Sequence, residues 1–238
     1  MVETKILHLS DTHYGKTAYA TNLHHRVATI NLKYEHHWKI VSGDITDNGE
    51  EYIKVEPMLH RCPCPGNHDV GEFGWFKQAA RIRAFDRKFG THYASSQMPQ
   101  VDIIDGQVAL IGLNSNPLSW QFWLSFARGN VGIRQRKRLA MFLNRYKSMV
   151  RIVYLHHHPF MRHPFMQLSD SCAVMKILAN RCEALLFGHM HKQEQCEFEE
   201  SSFDIPIIHA AGALYHETEA LEITIEDGKI STKYVKII

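Results

Sequence analysis

Apolar, β-branched runs recur along the chain and break off at polar or glycine-containing stretches: Ile6 to Leu9, Trp38 to Val41, Val108 to Leu113, Ile152 to Leu155, Ala184 to Phe187 and Ile205 to Ile208. Short runs of this kind predict buried strands. Between them the apolar positions switch to helical spacing. Leu23, Val27, Ile30 and Tyr34 form one stripe and Trp75, Ala79, Ile82 and Phe89 a second; Leu139, Phe142, Leu143 and Tyr146 follow, then Val174, Ile177 and Leu178. Strand and helix therefore alternate for most of the length. Leu221 to Ile225 and Ile230 to Ile237 flank Asp227-Gly228 and predict a closing β-hairpin. The pattern predicts an α/β fold of two packed mixed β-sheets flanked by helices. No repeat, low-complexity tract or Pro/Gly/Ser linker interrupts it, so residues 1–238 are expected to form one domain.

Composition narrows the function classes. The 45% apolar and 22% charged content of the 238 residues is that of a soluble domain with a sizeable core. A net charge of +2 excludes the broad positive field of a general nucleic-acid or acidic-membrane binder. The basic run Arg134, Arg136, Lys137 and Arg138 reads as a solvated helix face opposite Leu139 and Phe142. No window approaches the roughly 20 consecutive apolar residues needed to cross a bilayer. The first residues lead directly into a strand without the features of a signal peptide, so a cytoplasmic location without a membrane partner is expected. Five cysteines, an odd number, argue for reduced thiols, and Cys62-Pro-Cys64 has no answering pair for a zinc clip. Histidine changes the picture: there are 17, and histidine is both the commonest metal ligand and the side chain that titrates nearest neutrality.

Polar clusters rich in metal-binding residue types follow the strand-like runs. They are Asp11-Thr12-His13, Gly43-Asp44 with Asp47, Gly66-Asn67-His68-Asp69, His156-His157-His158-Pro159 and Gly188-His189-Met190-His191. Residues leaving the carboxyl ends of strands in an α/β sheet converge on one crevice, so clusters far apart in sequence can meet in space. Asp-x-His and His-x-His place two donors on one side of an extended segment. The glycines permit sharp turns and close backbone approach around a ligand. After the fourth run, alternation puts His156 and His158 on the face opposite His157, and either set can point at a metal.

The ordered set Asp-x-His, Gly-Asp, Gly-Asn-His-Asp, His and Gly-His-x-His resembles the calcineurin-like metallophosphoesterases, from Asp11 to His191. Gly-Asp-x-x-Asp at Asp44 and Asp47, together with the His-His-Pro motif, is most similar to the cyclic-nucleotide phosphodiesterase group. The resemblance implies two metal ions, Mn, Fe, Zn, Ni or Co. One would take Asp11, His13 and His191 and the other Asn67, His157 and His189, with Asp44 bridging through its two oxygens. His157 is chosen because the family's ligand lies two residues before the proline. His68 would contact phosphate and protonate the leaving alkoxide, and Asp47 would orient it by accepting its other ring proton. The implied reaction is hydrolysis of a small phosphate diester by metal-activated hydroxide, without a covalent intermediate. Substrate contacts are expected from Asn67, His158, Arg162, His163 and His209, the mixed aromatic, Met and cationic loop at Phe160 to Met166 being the main candidate. The stretch from Glu50 to His60, usually a full helix in the family, leaves room for about three turns. A phosphomonoesterase or nuclease with the same centre is the alternative, and a non-catalytic scaffold a remote one. Oligomeric state is not set by the sequence.

Overall fold

The computed structural model describes residues 3–70, 75–94, 98–116, 127–161, 163, 165–195 and 203–238. In chain order the elements are β1 (Thr4–Leu9), α1 (Ala20–Lys33), β2 (Trp38–Ser42), β3 (Arg61–Cys64), α2 (Asn67–Val70), α3 (Trp75–Phe89), β4 (Gln100–Ile104), β5 (Val108–Gly112), α4 (Ile133–Arg145), β6 (Val150–Tyr154), α5 (Ser171–Leu178), β7 (Ala184–Phe187), β8 (Glu194–Gln195), β9 (Ile207–Ala210), β10 (Glu219–Glu226) and β11 (Lys229–Lys236). The helical stripes are the buried faces: Leu23, Val27 and Ile30 of α1, Leu139 and Leu143 of α4, and Val174 and Leu178 of α5. Each such residue contributes about 1.5–3 kcal/mol on leaving water. Beyond the end of α1, the fully buried Lys39 donates from Nζ to the Glu35 carbonyl at 3.1 Å.

Two mixed sheets form, ordered β11-β10-β1-β2-β3 and β4-β5-β6-β7-β9-β8. The strands β1, β2 and β3 are mutually parallel, as are β5, β6, β7 and β9. Ile6, Ile40 and Ile223 of the first sheet meet Leu110, Ile152 and Leu186 of the second in one cluster. The next residues along the second sheet, Ile111, Val153 and Leu185, turn the other way and pack with Leu139, Leu143, Val174 and Leu178. This is the helix-flanked pair of sheets that the hydrophobic pattern predicts. Strands β3, β4 and β8 are additions to it. Pro63 lies within β3, which a sheet tolerates there because β3 is an edge strand and a missing N–H leaves no ladder bond unmade. The Glu50 to His60 stretch holds a single 3₁₀ turn, Tyr52–Lys54, less than the three turns it could accommodate. No helix among the described residues is long and apolar enough to cross a membrane.

Candidate metal centre

Parallel pairing delivers the polar clusters to one place. Past the end of the β1–β2 ladder the two loops remain hydrogen-bonded, Asp11 N to Gly43 O at 3.0 Å, His13 N to Asp44 O at 2.9 Å and Tyr14 N to Ile45 O at 2.8 Å. The β7 loop joins them through His189 N, which donates to Asp11 Oδ2 at 3.1 Å. Asp11, His13, Asp44, His189 and His191 all have positive φ, between 46° and 76°. A non-glycine residue held there costs of order 1–3 kcal/mol, so the surrounding structure imposes the conformation. A Cβ at Gly66 would collide with the Asp44 carboxylate, and one at Gly188 with Ser10 and Asp11. Asp69 ties the loops beneath the site. Its buried carboxylate accepts from Ile45 N at 3.0 Å, Thr46 N at 2.9 Å, Thr46 Oγ1 at 3.1 Å and Gly66 N at 2.9 Å.

The donor atoms form two clusters that share a carboxylate. In the first, His13 Nε2 lies 3.0 Å from His191 Nε2, which is 3.3 Å from Asp11 Oδ1, and Asp44 Oδ2 is 3.8 Å from His13 Nε2. In the second, His156 Nε2 lies 2.9 Å from Asn67 Oδ1, 3.1 Å from His189 Nδ1 and 3.3 Å from Asp44 Oδ2. Imidazole nitrogens aimed at one another at these distances, beside buried carboxylate oxygens, suit cations that accept several lone pairs at once. The buried Asp11 Oδ1 has no donor in hydrogen-bonding geometry, which fits the same role. Mixed nitrogen and oxygen donors suit the first-row transition ions without choosing among them.

Several sequence expectations change. His156, not His157, faces Asp44 and Asn67. Its Nδ1 is held by the Ser42 carbonyl at 2.8 Å, whereas His157 Nδ1 lies 2.8 Å from Ser115 Oγ. The sides of the first two rings still alternate past the end of β6 at Tyr154, and it is His156 that lies on the Asp44 side, one residue earlier than the count from the proline gives. Asp44 does not divide its oxygens between the clusters: Oδ2 faces both, and Oδ1 accepts the His68 backbone N–H at 2.9 Å. His68 is held through the Asp47 backbone carbonyl, 2.8 Å from Nδ1, rather than through the Asp47 carboxylate, which lies 3.9 Å away and is 3.1 Å from His13 Nδ1 instead.

The expected substrate contacts scatter, with Asn67 alone among them in the centre. His158 is buried against Phe187 and Phe160, with Nδ1 accepting from Phe160 N and Nε2 3.1 Å from Glu194, so it points away from the clusters. His209 is fully buried between the sheets, its Nδ1 2.7 Å from His8 Nδ1, and burial pushes it down to about 4. His163 is exposed and packs on Phe165. Arg162 lies outside the described residues. Asp69 and Tyr215 also adjoin the centre, and no local sequence pattern marks a role for either. Asp69 stands in a quoted motif, but nothing local shows which N–H groups its carboxylate serves.

Charge in the centre is compensated internally. Burial opposes ionisation of Asp44, but the neighbouring His156 outweighs it and holds the carboxyl well below the usual range. Burial likewise lowers His156, and the facing Asp44 more than reverses this, raising it to about 9. Asp11 does the same for His191 through a side-chain contact, while burial lowers His13 and drives His189 down to about 3. Burial and the adjacent Asp44 raise Asp69 to about 6 against the pull of its backbone donors.

The family model described as calcineurin-like phosphoesterase matches residues 4–193. No curated protein matches the chain. Among solved structures, a Staphylococcus aureus protein described as a 5'-nucleotidase in complex with alpha-ketoglutarate aligns with TM-score 0.62 at 12% identity, covering 100% of this chain and 55% of its own. This chain thus spans about half the length of that protein. GAP50 of Plasmodium, described as the anchor in the inner membrane complex, aligns with TM-score 0.63 at 10% identity over 100% of this chain and 85% of its own. The calcineurin-like phosphoesterase YfkN of Bacillus subtilis aligns with TM-score 0.55 at 13% identity over 99% and 91%. At these identities the likenesses are of fold.

Proposed function

We propose, since the chain belongs to the calcineurin-like phosphoesterase family, that it hydrolyses a phosphate diester, a small nucleotide or a related compound, at two metal ions. The observation that carries this reading is the single Asp44 oxygen shared by two clusters of converging donors. Asp11, His13 and His191 would hold one ion and Asn67, His156 and His189 the other, with Asp44 common to both. A bound cation pair neutralises phosphate charge and makes water more acidic.

The protein's own groups prepare the rest. The Asp47 carboxylate engages His13 Nδ1 and so presents Nε2 to the centre. His68 is fixed at two points, its backbone N–H on Asp44 Oδ1 and its Nδ1 on the Asp47 carbonyl. A carbonyl only accepts, so Nδ1 carries a proton, and the imidazolium form donates to a departing alkoxide from Nε2. Preference for a diester is supported by the Gly43-Asp44-Ile45-Thr46-Asp47 and His157-His158-Pro159 motifs, which are similar to those of the cyclic-nucleotide phosphodiesterase group.

Metal-reconstituted protein assayed against bis-p-nitrophenyl phosphate, p-nitrophenyl phosphate, cyclic nucleotides and single-stranded DNA tests the reading. Diester turnover well above monoester turnover, without DNA cleavage, is expected. Monoester turnover alone or DNA cleavage would replace the diester assignment, and metal-loaded protein inert toward all four would exclude hydrolysis of these classes. His68→Ala is expected to retain its metals and lose about 10²–10⁴-fold in kcat.

A further inference from the structure

We infer that Tyr215 is a positioning residue for His191: its hydroxyl oxygen accepts a hydrogen bond from His191 Nδ1–H and thereby turns Nε2 toward Asp11 and His13. This rests on the reading of those residues as holding a metal. Three imidazoles present Nε2 to the centre, and each has its Nδ1 set against an oxygen. For His13 it is Asp47 Oδ1 at 3.1 Å, for His156 the Ser42 carbonyl at 2.8 Å, and for His191 the Tyr215 hydroxyl at 3.4 Å. The second nitrogen of a ligating imidazole fixes both tautomer and ring orientation through such a partner. The last distance is near the outer limit of a hydrogen bond.

His191 has the greatest need of such a partner. Its side chain is 38% exposed where that of His13 is 1% exposed, so packing alone does not choose between its two ring orientations. Tyr215 is itself only 3% exposed, with its ring 6.0 Å from that of His13 and 6.1 Å from that of His191, both edge-on. Its backbone is anchored beside the same cluster: Leu214 N donates to Ser10 O at 3.1 Å, one residue before Asp11. The hydroxyl is therefore held by a buried ring on a segment tied to the exit of β1, which is what a fixed orienting acceptor requires.

Tyr215→Phe removes the oxygen and keeps the ring. Co²⁺ titration of metal-free full-length protein, read by the visible absorption of the bound ion, is expected to show two ions per chain in the wild type. In Tyr215→Phe one of them should bind about 10–100-fold more weakly with an altered spectrum, the other unchanged. In a His191→Ala background the same substitution should add nothing. Wild-type affinities and spectrum in Tyr215→Phe would overturn the role of Tyr215 alone, as would equal weakening of both ions together with a lowered Tm, the mark of a packing residue. No Co²⁺ binding by the wild type would overturn the metal-centre reading and this inference with it.

Discussion

Immediately after β6 the chain aims His156 at Asp44 and Asn67, while the His157 ring lies 4.7 Å from that of His189 with its Nδ1 on Ser115 Oγ. His156 is wedged against Gly43, where a Cβ would meet its ring, and contacts Asn67, His189 and Asp44; His157 packs in the same way against Gly129. The two substitutions should therefore differ. His156→Ala is expected to lose the ion of the second cluster, and His157→Ala to keep two ions per chain at some cost in stability. Metal analysis of the two purified variants checks this, and the reverse pattern would restore His157 as the ligand. Residue types in motif order singled out Asp11, His13, Asp44, Asn67, His189 and His191, which the fold brings together, because the pairing of donors is written in spacing. The choice among three consecutive histidines was not legible, since it depends on partners more than 40 residues away in sequence, Ser42 and Asn67 for one ring and Ser115 for the other.

At the scale of elements, the centre is made of loops held by other loops. Asp69, in the four-residue helix α2, receives N–H groups from Gly66 and from Ile45 and Thr46 of the β2 exit, joining the loops that carry Asn67 and Asp44. Asp69→Ala would leave three buried backbone N–H groups and the Thr46 hydroxyl without their acceptor, each worth about 1–3 kcal/mol. A loss of at least about 3 kcal/mol in denaturant unfolding, with weakened metal binding, is expected; a loss below about 1 kcal/mol would mean that the loops hold themselves. The main strands and four of the five helices were legible as apolar runs and stripes; α2, a single turn, was not. β3, β4 and β8 were not. Proline interrupts β3, β4 is a partly exposed edge strand, and β8 is a two-residue bridge whose existence depends on β9 lying alongside.

For the whole molecule, a net charge of +2 conceals a centre where two carboxylates lie buried together. In metal-free protein Asp44 holds a proton on His156 up to about 9, and Asp11 raises His191. A cation must displace that proton, so binding releases it and apparent affinity falls as pH drops below 9, by about tenfold per unit for one displaced proton. Calorimetric Mn²⁺ titrations in buffers of different ionisation enthalpy should report at least half a proton released per chain at pH 7.5, a threshold of roughly this size following from full protonation of one group. Binding that neither releases protons nor strengthens with pH would contradict this charge arrangement.

By itself the sequence determined the class of fold and the chemistry on offer. Periodicity is a local property, and so is the spacing of donors within a loop. It also carried the family resemblance that the match over residues 4–193 establishes. Only the tertiary structure decided which atom of each residue is used: Oδ2 of Asp44 toward both clusters, the carbonyl of Asp47 for His68 and its carboxylate for His13, His156 over His157, and Tyr215 beside His191. Ring orientation and proton position are set by hydrogen-bond partners brought in from other strands, and such partners leave no trace in the local pattern.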